Sequence, residues 1–291
     1  MNNKKKLLIK VLLIVLAVIV AAGGIVCLIG KPHITDGTLY LSVYKGKSGI
    51  TAGDLILVNS EHIYNEKNTP KLVSIIDKKN SSYLVRNSDA QLAEITVKQF
   101  NKLFKAFKKE TGIENACINS AYRSYSDQQS IYNSQIEAYG SAYAESYCAL
   151  PGYSEHHTGL AADLVLLDGE EIYAIGSISE YKWLVQNAKN YGFIIRYPSD
   201  KVAVTGISSE PWHFRYVGVE HAYAMETENL CLEEYTAFIE SYSSENPYYS
   251  YTNDGTYKIY YCSGSKVTIP LFKSYDISGN NVDGYVVSFK A

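Results

Sequence analysis

SEHHTGLAAD, running from Ser154 to Asp163, and EPWHFRYVG, from Glu210 to Gly218, are the two stretches on which the reading of this chain turns. A hydrolytic zinc centre draws about three protein ligands from His and carboxylate, leaves a fourth position for water, and keeps nearby a Glu that is not a ligand. His156, with His157 as its competitor, Asp163, His213 and Glu210 supply that list. Pro151-Gly152 breaks the chain ahead of the first stretch, Thr158-Gly159 makes a turn, and Leu160 to Leu167 reads as a strand containing Asp163. Positions seven apart face opposite ways on one continuous strand, so the chain has to bend at Gly159 for His156 and Asp163 to meet one ion. Leu160, Ala161, Ala162, Leu164, Val165 and Leu166 surround Asp163, and a carboxylate in so apolar a strand demands a cation or strong donors. In the second stretch Pro211 prevents a helix, so Glu210 and His213 are expected on extended or turned backbone with Trp212 as a wall between them. His33, His62 and His221 read as structural or exposed.

Working outward, strand-like and helix-like patterns alternate without the regular βαβ repeat of a doubly wound sheet, which points to an α+β fold. Leu39, Leu41 and Val43 alternate with Tyr40, Ser42 and Tyr44 as in a half-buried strand, and Asp54 to Asn59 reads as a second short strand. Thr96 and Gln99 suggest a capping box for a helix whose apolar face is Val97, Phe100, Leu103, Phe104 and Phe107, ended by Gly112. Ala116 to Asn119 reads as a strand that turns through SAYRSYSDQQ, Ser120 to Gln129, into a helix capped by Ser126 and Gln129. Arg123 then stands at a strand end, from which a guanidinium can reach a carboxylate with two parallel hydrogen bonds. Beyond Ser241 the composition shifts to Ser, Tyr and Asn, and the alternations at Tyr257 to Tyr261 and Tyr285 to Phe289 predict a small β-rich extension over 241–291.

With 291 residues, 46% hydrophobic and 20% charged, the chain has material for one sizeable core and a small appendage. Lys4, Lys5, Lys6 and Lys10 form a basic segment, 1–10, ahead of an uncharged stretch, 11–30, that would span about 30 Å as a helix. A basic flank stays cytoplasmic, so this predicts a single-pass anchor with residues 31–240 and the extension outside the membrane. The apolar run continues to Ile29, past the cleavable-looking Val20-Ala21-Ala22, which favours a retained anchor over a signal peptide. Residues 31–291 carry 23 basic and 30 acidic residues, a formal charge of −7, with no basic stripe, which excludes nucleic acid as a partner. Of the exported cysteines, Cys117, Cys148, Cys231 and Cys262, the pair Cys231 and Cys262 would staple the extension to the body; free thiols are the alternative.

From Leu55 to Tyr235 the chain resembles the VanY-type D-alanyl-D-alanine carboxypeptidases, zinc peptidases that share the Hedgehog/DD-peptidase fold. The resemblance rests on six ordered blocks: LILVNSEH from Leu55, SAYRSYSDQQ from Ser120, PGYSEHHTGLAAD from Pro151, YGFIIRYP from Tyr191, EPWHFRYVG from Glu210 and LEEY from Leu232. The family pattern Ser-x-His-x-x-Gly-x-Ala-x-Asp falls on Ser154, His156, Gly159, Ala161 and Asp163 and chooses His156 over His157. The resemblance implies one zinc ion on His156, Asp163 and His213, Glu210 as general base and acid, and Arg123 with Ser154 and Gln128 as anchors for a substrate's terminal carboxylate. Arg196 or Arg215 are candidate donors to the developing oxyanion. The implied substrate is the peptidoglycan pentapeptide stem ending in D-Ala-D-Ala, with vancomycin resistance as a consequence of trimming it. An LD-carboxypeptidase acting on tetrapeptide stems is the near alternative, and a non-catalytic wall-binding module the alternative of a different class. Oligomeric state is not legible in the sequence.

Overall fold

The computed structural model describes residues 32–169, 171–174 and 181–291, so the expected anchor at 11–30 lies outside the described residues. Among the described residues no helix is long and apolar enough to cross a membrane.

The centre of the molecule is a mixed sheet whose strands lie in the order Leu84–Val85, Ala116–Ser120, Ala161–Asp168, Glu210–Tyr216 and Phe193–Tyr197, with Glu171–Ala174 paired to Ala161–Asp168. The first pair is parallel and the others antiparallel. One face is covered by the Glu94–Thr111 helix, whose Val97, Phe100, Leu103, Phe104 and Phe107 are all buried. Phe100 stacks on Phe193 of the sheet at 4.2 Å between ring centroids, and Phe104 on Tyr83 at 4.5 Å. The aromatic stripe is therefore core, as its spacing predicts. Gly112 ends this helix in the left-handed conformation, but the helix begins at Glu94 and has no side-chain cap, and Thr96 is buried inside it. The expected box at Thr96 and Gln99 fails because strand Gln91–Ala93 runs straight into the helix.

The other corrections are of similar origin. The Tyr125–Tyr139 helix is capped by Ser124 with Asp127, two residues ahead of the expected Ser126 and Gln129. Residues 55–58 are buried but not a ladder strand: the Leu55 N–H donates to Ser278 Oγ, the Leu57 N–H to the Asn280 carbonyl, and the Asp54 and Ile56 carbonyls accept from Arg215. Thr38–Tyr44 is a strand but not a half-buried one. It lies between His33–Thr35 and Lys266–Pro270 and hides Tyr40, Leu41, Ser42 and Val43.

That pairing joins the first described strands to the C-terminal segment in one β unit. Tyr248–Thr252, Gly255–Ser263, Gly284–Lys290 and Tyr275–Gly279 form a four-stranded antiparallel sheet. Tyr40, Leu41 and Val43 share a core with Tyr260, Val267, Tyr285, Val287 and Phe289. A second core, with Leu55, Leu57, Val217, Met225, Leu232, Tyr235, Ile259 and Val286, fixes this unit to the body. No staple is needed there: Cys117, Cys148, Cys231 and Cys262 are all free thiols, and Cys231 is buried at a helix N-terminus.

Candidate metal centre

The turn containing His156 is a short 3-10 helix, Glu155–Thr158, capped by Ser154, whose Oγ accepts the His156 N–H at 3.3 Å. Gly159 follows at φ +68°. A side chain there is excluded twice, by the left-handed backbone and because a Cβ would sit 2.7 Å from Leu72 Cδ2 and 3.0 Å from the Ala93 nitrogen. This is the bend that the spacing of His156 and Asp163 requires. Three bonds zip the turn to the end of strand Ala116–Ser120. His156 Nδ1 lies 2.7 Å from the Ala121 carbonyl, the Arg123 N–H donates to the His156 carbonyl at 3.2 Å, and His157 Nδ1 lies 2.7 Å from the Arg123 carbonyl.

Sheet register delivers the other two donors. Asp163 and His213 are Cα partners across adjacent antiparallel strands, so their side chains emerge side by side on one face. Asp163 Oδ2 is 3.3 Å from His156 Nε2, and its Oδ1 is 3.1 Å from His213 Nδ1. Four donors placed tetrahedrally about 2.0–2.1 Å from a zinc ion stand ~3.3 Å apart. His156 Nε2 and Asp163 Oδ1 are buried with no hydrogen-bond partner, as atoms reserved for a cation would be. Among the described residues His156, Asp163 and His213 are the one cluster of His, Cys, Asp and Glu able to hold a metal. With Nδ1 of His156 engaged by a carbonyl, its Nε2 is the free donor; for His213 the free donor is Nδ1.

Glu210 and His213 lie on strand Glu210–Tyr216, whose register slips between Glu210 and Phe214, where Pro211 cannot donate to a ladder. The Glu210 carboxylate is 3.6 Å from His213 Nδ1, beside the donor set. Burial, with the Asp163 charge nearby, raises its pKa to about 7 against the pull of His213 and Arg123. Burial together with Arg123 lowers His156 to about 4, while Asp163 and Glu155 outweigh burial at His213 and raise it to about 9.

Arg123 reaches the site as expected. Its Nε donates to Ser120 Oγ at 3.1 Å, one terminal nitrogen to Gln128 Oε1 at 2.9 Å and the other to Asp163 Oδ2 at 3.2 Å. A guanidinium has five N–H donors, so two remain for a ligand. Gln128 is also brought here, but its amide nitrogen is held by the Ala149 carbonyl at 2.7 Å and Cys148 Sγ at 3.3 Å. Its part is to hold Arg123. Ser154, almost wholly buried, lines the same cleft and keeps its hydroxyl proton available. The cleft, about 410 Å³, is lined by Arg123, Ser154, His156, Asp163, Glu210 and His213, with Tyr197 and Trp212 as walls.

His157 is structural. Its Nε2 accepts the Gly152 N–H at 3.0 Å, and its ring stacks on Tyr125 at 4.5 Å. Arg196 and Arg215 are not oxyanion donors, since both are wholly buried behind the donor set. Arg196 Nε and an Arg215 terminal nitrogen both bond Glu155 Oε1, at 2.7 and 2.6 Å, and Arg196 also grips Glu233 at 2.8 and 2.6 Å. Glu155 Oε2 faces His213 Nε2 at 3.5 Å, so the carboxylate orients the histidine from behind. The two guanidiniums overcome burial and hold the Glu155 carboxyl well below the usual carboxylate range. Sequence reasoning missed Glu155. Its signal was Arg196 within FIIRY and Arg215 between Phe214 and Tyr216, cations among large hydrophobic neighbours that need a buried carboxylate partner.

Comparison with known proteins gives a consistent answer. The family model described as VanY, D-alanyl-D-alanine carboxypeptidase, matches residues 89–219. A D-alanyl-D-alanine carboxypeptidase of Enterococcus faecium is 33% identical over 243 residues, spanning 81% of this chain and 75% of the relative. Among solved structures, the vancomycin resistance D,D-dipeptidase VanXYg, in complex with a D-Ala-D-Ala phosphinate analogue, has a TM-score of 0.78 at 32% identity. It covers 87% of this chain and 99% of its own. The D,D-pentapeptidase VanY in complex with Zn(II) has a TM-score of 0.53 at 33% identity, covering 63% of this chain and 98% of its own. The LD-carboxypeptidase LdcB also scores 0.53, at 34% identity, covering 62% of this chain and 84% of its own.

Proposed function

The chain belongs to the VanY family of D-alanyl-D-alanine carboxypeptidases, and on that premise we propose that it is a zinc D,D-carboxypeptidase, anchored through residues 11–30 and facing outward, that removes the last D-Ala from pentapeptide stems of peptidoglycan. The observation that carries this reading is Arg123 beside the donor set, bonded to Asp163 Oδ2 at 3.2 Å and with two further N–H groups left over for a ligand. A terminal carboxylate held there places the last peptide bond next to Glu210, whereas a mid-chain peptide offers no carboxylate to hold. His156, Asp163 and His213 would hold the zinc, which supplies the Lewis acidity that activates water and polarises the peptide carbonyl. Glu210 takes the proton from the attacking water and returns it to the leaving amine. Tyr197 and Trp212 wall the cleft and limit water around the reacting bond.

A second reading, LD-carboxypeptidase action on tetrapeptide stems, is supported by the likeness to LdcB, which equals that to VanY. The complete donor set with Glu210 in place speaks against a wall-binding module without activity. Removal of the terminal D-Ala would also remove the target of glycopeptide antibiotics, which is the route to a resistance role. Incubation of the purified protein with synthetic pentapeptide, tetrapeptide and D-Ala-D-Ala, with and without chelator, tests all of this by mass. Loss of one D-Ala from the pentapeptide alone, abolished by chelator, is expected. Chelator-resistant cleavage would reject the zinc, and cleavage of tetrapeptide alone would install the second reading.

A further inference from the structure

One wall of the cleft is built by the helices Tyr125–Tyr139 and Ser141–Tyr147, which pack side by side across the corner at Gly140. Cys148, at the end of the second helix, touches Gln128 in the first turn of the first, so the second helix runs back toward the site. Tyr139, Tyr143 and Tyr147, four residues apart, form a ladder along this wall, with ring centroids 4.7 Å apart at each step. The three residues are 64%, 41% and 41% exposed, against the near-zero values of the core aromatics. Tyr143 and Tyr147 line the cleft that holds His156, Asp163, His213 and Glu210, and Tyr139 lies beyond them at the corner.

The length of this wall is informative. Gln128 braces the guanidinium that would hold the terminal carboxylate, and Tyr139 lies eleven residues further along the same helix, about 16 Å at 1.5 Å per residue. An extended five-residue stem is about 17 Å long. A stem lying extended along this helix from Arg123 would bring the end joined to the amino sugar of the glycan strand to Tyr139. A tyrosine offers a flat apolar face with a polar edge and few torsions to fix, which suits a pyranose with C–H groups on its faces and hydroxyls on its rim. The wall from 125 to 147 has no Lys or Arg, and its charged residues are Asp127, Glu137 and Glu145, so an anionic polymer is poorly matched.

We propose that the Tyr139, Tyr143 and Tyr147 ladder is the docking strip for the glycan-linked end of the substrate, with Tyr139 stacking on the sugar. This rests on the carboxypeptidase reading. The test compares kcat/KM of the full chain for a free pentapeptide and for the same pentapeptide on its disaccharide, in the unaltered protein and in Tyr139→Ala and Tyr139→Phe. Aromatic stacking of ordinary strength predicts that Tyr139→Ala lowers the ratio of glycan-linked to free kcat/KM by about two- to tenfold, mainly through KM. Tyr139→Phe, which keeps the ring, should retain the ratio. A ratio unchanged in Tyr139→Ala, or an equal loss on both substrates, overturns the strip. If the unaltered protein releases D-Ala from neither substrate, it is the carboxypeptidase reading that falls, and the strip with it.

Discussion

Replacing Glu155 by Gln keeps the shape of the side chain and removes one charge from a fully buried ionic cluster. Glu155, Arg196 and Arg215 all have side chains with no exposure. Arg196 keeps its bidentate partner Glu233, but Arg215 keeps only carbonyls, those of Asp54, Ile56 and its neighbour Tyr216. Breaking one side of a buried pair costs about 3–5 kcal/mol. The remaining carbonyl acceptors put this case at the lower end, about 3 kcal/mol. In urea, with a slope near ~3 kcal/mol/M, the unfolding midpoint should fall by about 1 M. A second effect is local. The amide that replaces the carboxylate cannot satisfy both guanidiniums and the His213 Nε2 proton, so zinc affinity, read by competition with a chromophoric chelator, should fall about 10- to 100-fold. A midpoint within about 0.3 M of the unaltered protein together with unchanged zinc affinity would refute both the energetic and the orienting argument.

Glu210→Gln should retain zinc and lose turnover by about 10²–10⁴, since the protein loses its proton carrier and none of its donors; wild-type rates in that variant would end the mechanism. Gly159→Ala forces a side chain into the left-handed backbone against Leu72 and Ala93, which adds at least about 1–2 kcal/mol of strain; a melting temperature and zinc affinity both unchanged would show that the bend is not required. Asp54 gives a pH signature away from the donor set. Burial raises its folded pKa to about 6 against the pull of Arg215, above an unfolded value near ~3.9. Its contribution to stability is therefore present in full below about pH 4 and lost as pH rises through about 6. Asp54→Asn removes that loss, so the stability gap between variant and wild type should shift by about 2–3 kcal/mol from pH 4 to pH 7; parallel pH curves would count against it.

Much of the site can be read from the chain because its chemistry is local. His156 and Asp163 are seven residues apart, the glycine that lets them converge lies between them, and Glu210 and His213 share one short strand. The helix face from Val97 to Phe107 follows from spacing alone. The 54–59 segment is no ladder strand because its backbone groups are claimed by distant partners, whereas the caps differ for local reasons: Ser124 with Asp127 takes one, and strand Gln91–Ala93 running into the helix removes the other. The strand Thr38–Tyr44 reads as half-buried, since nothing nearby shows that Lys266–Pro270, more than two hundred residues on, will pair with it and help bury both its faces.

Residue types and spacing thus narrowed the metal-site candidates to His156 or His157 with Asp163, His213 and Glu210, and the family resemblance assigned roles among them, because a metal and a proton carrier tolerate few substitutes. Tertiary structure decided what those residues lean on. It placed Asp163 opposite His213 by sheet register, turned Arg196 and Arg215 from possible catalytic donors into the buried support of Glu155, and left all four described cysteines unpaired. Long-range pairing and burial set those roles, and neither is written in the identity of a residue or of its neighbours.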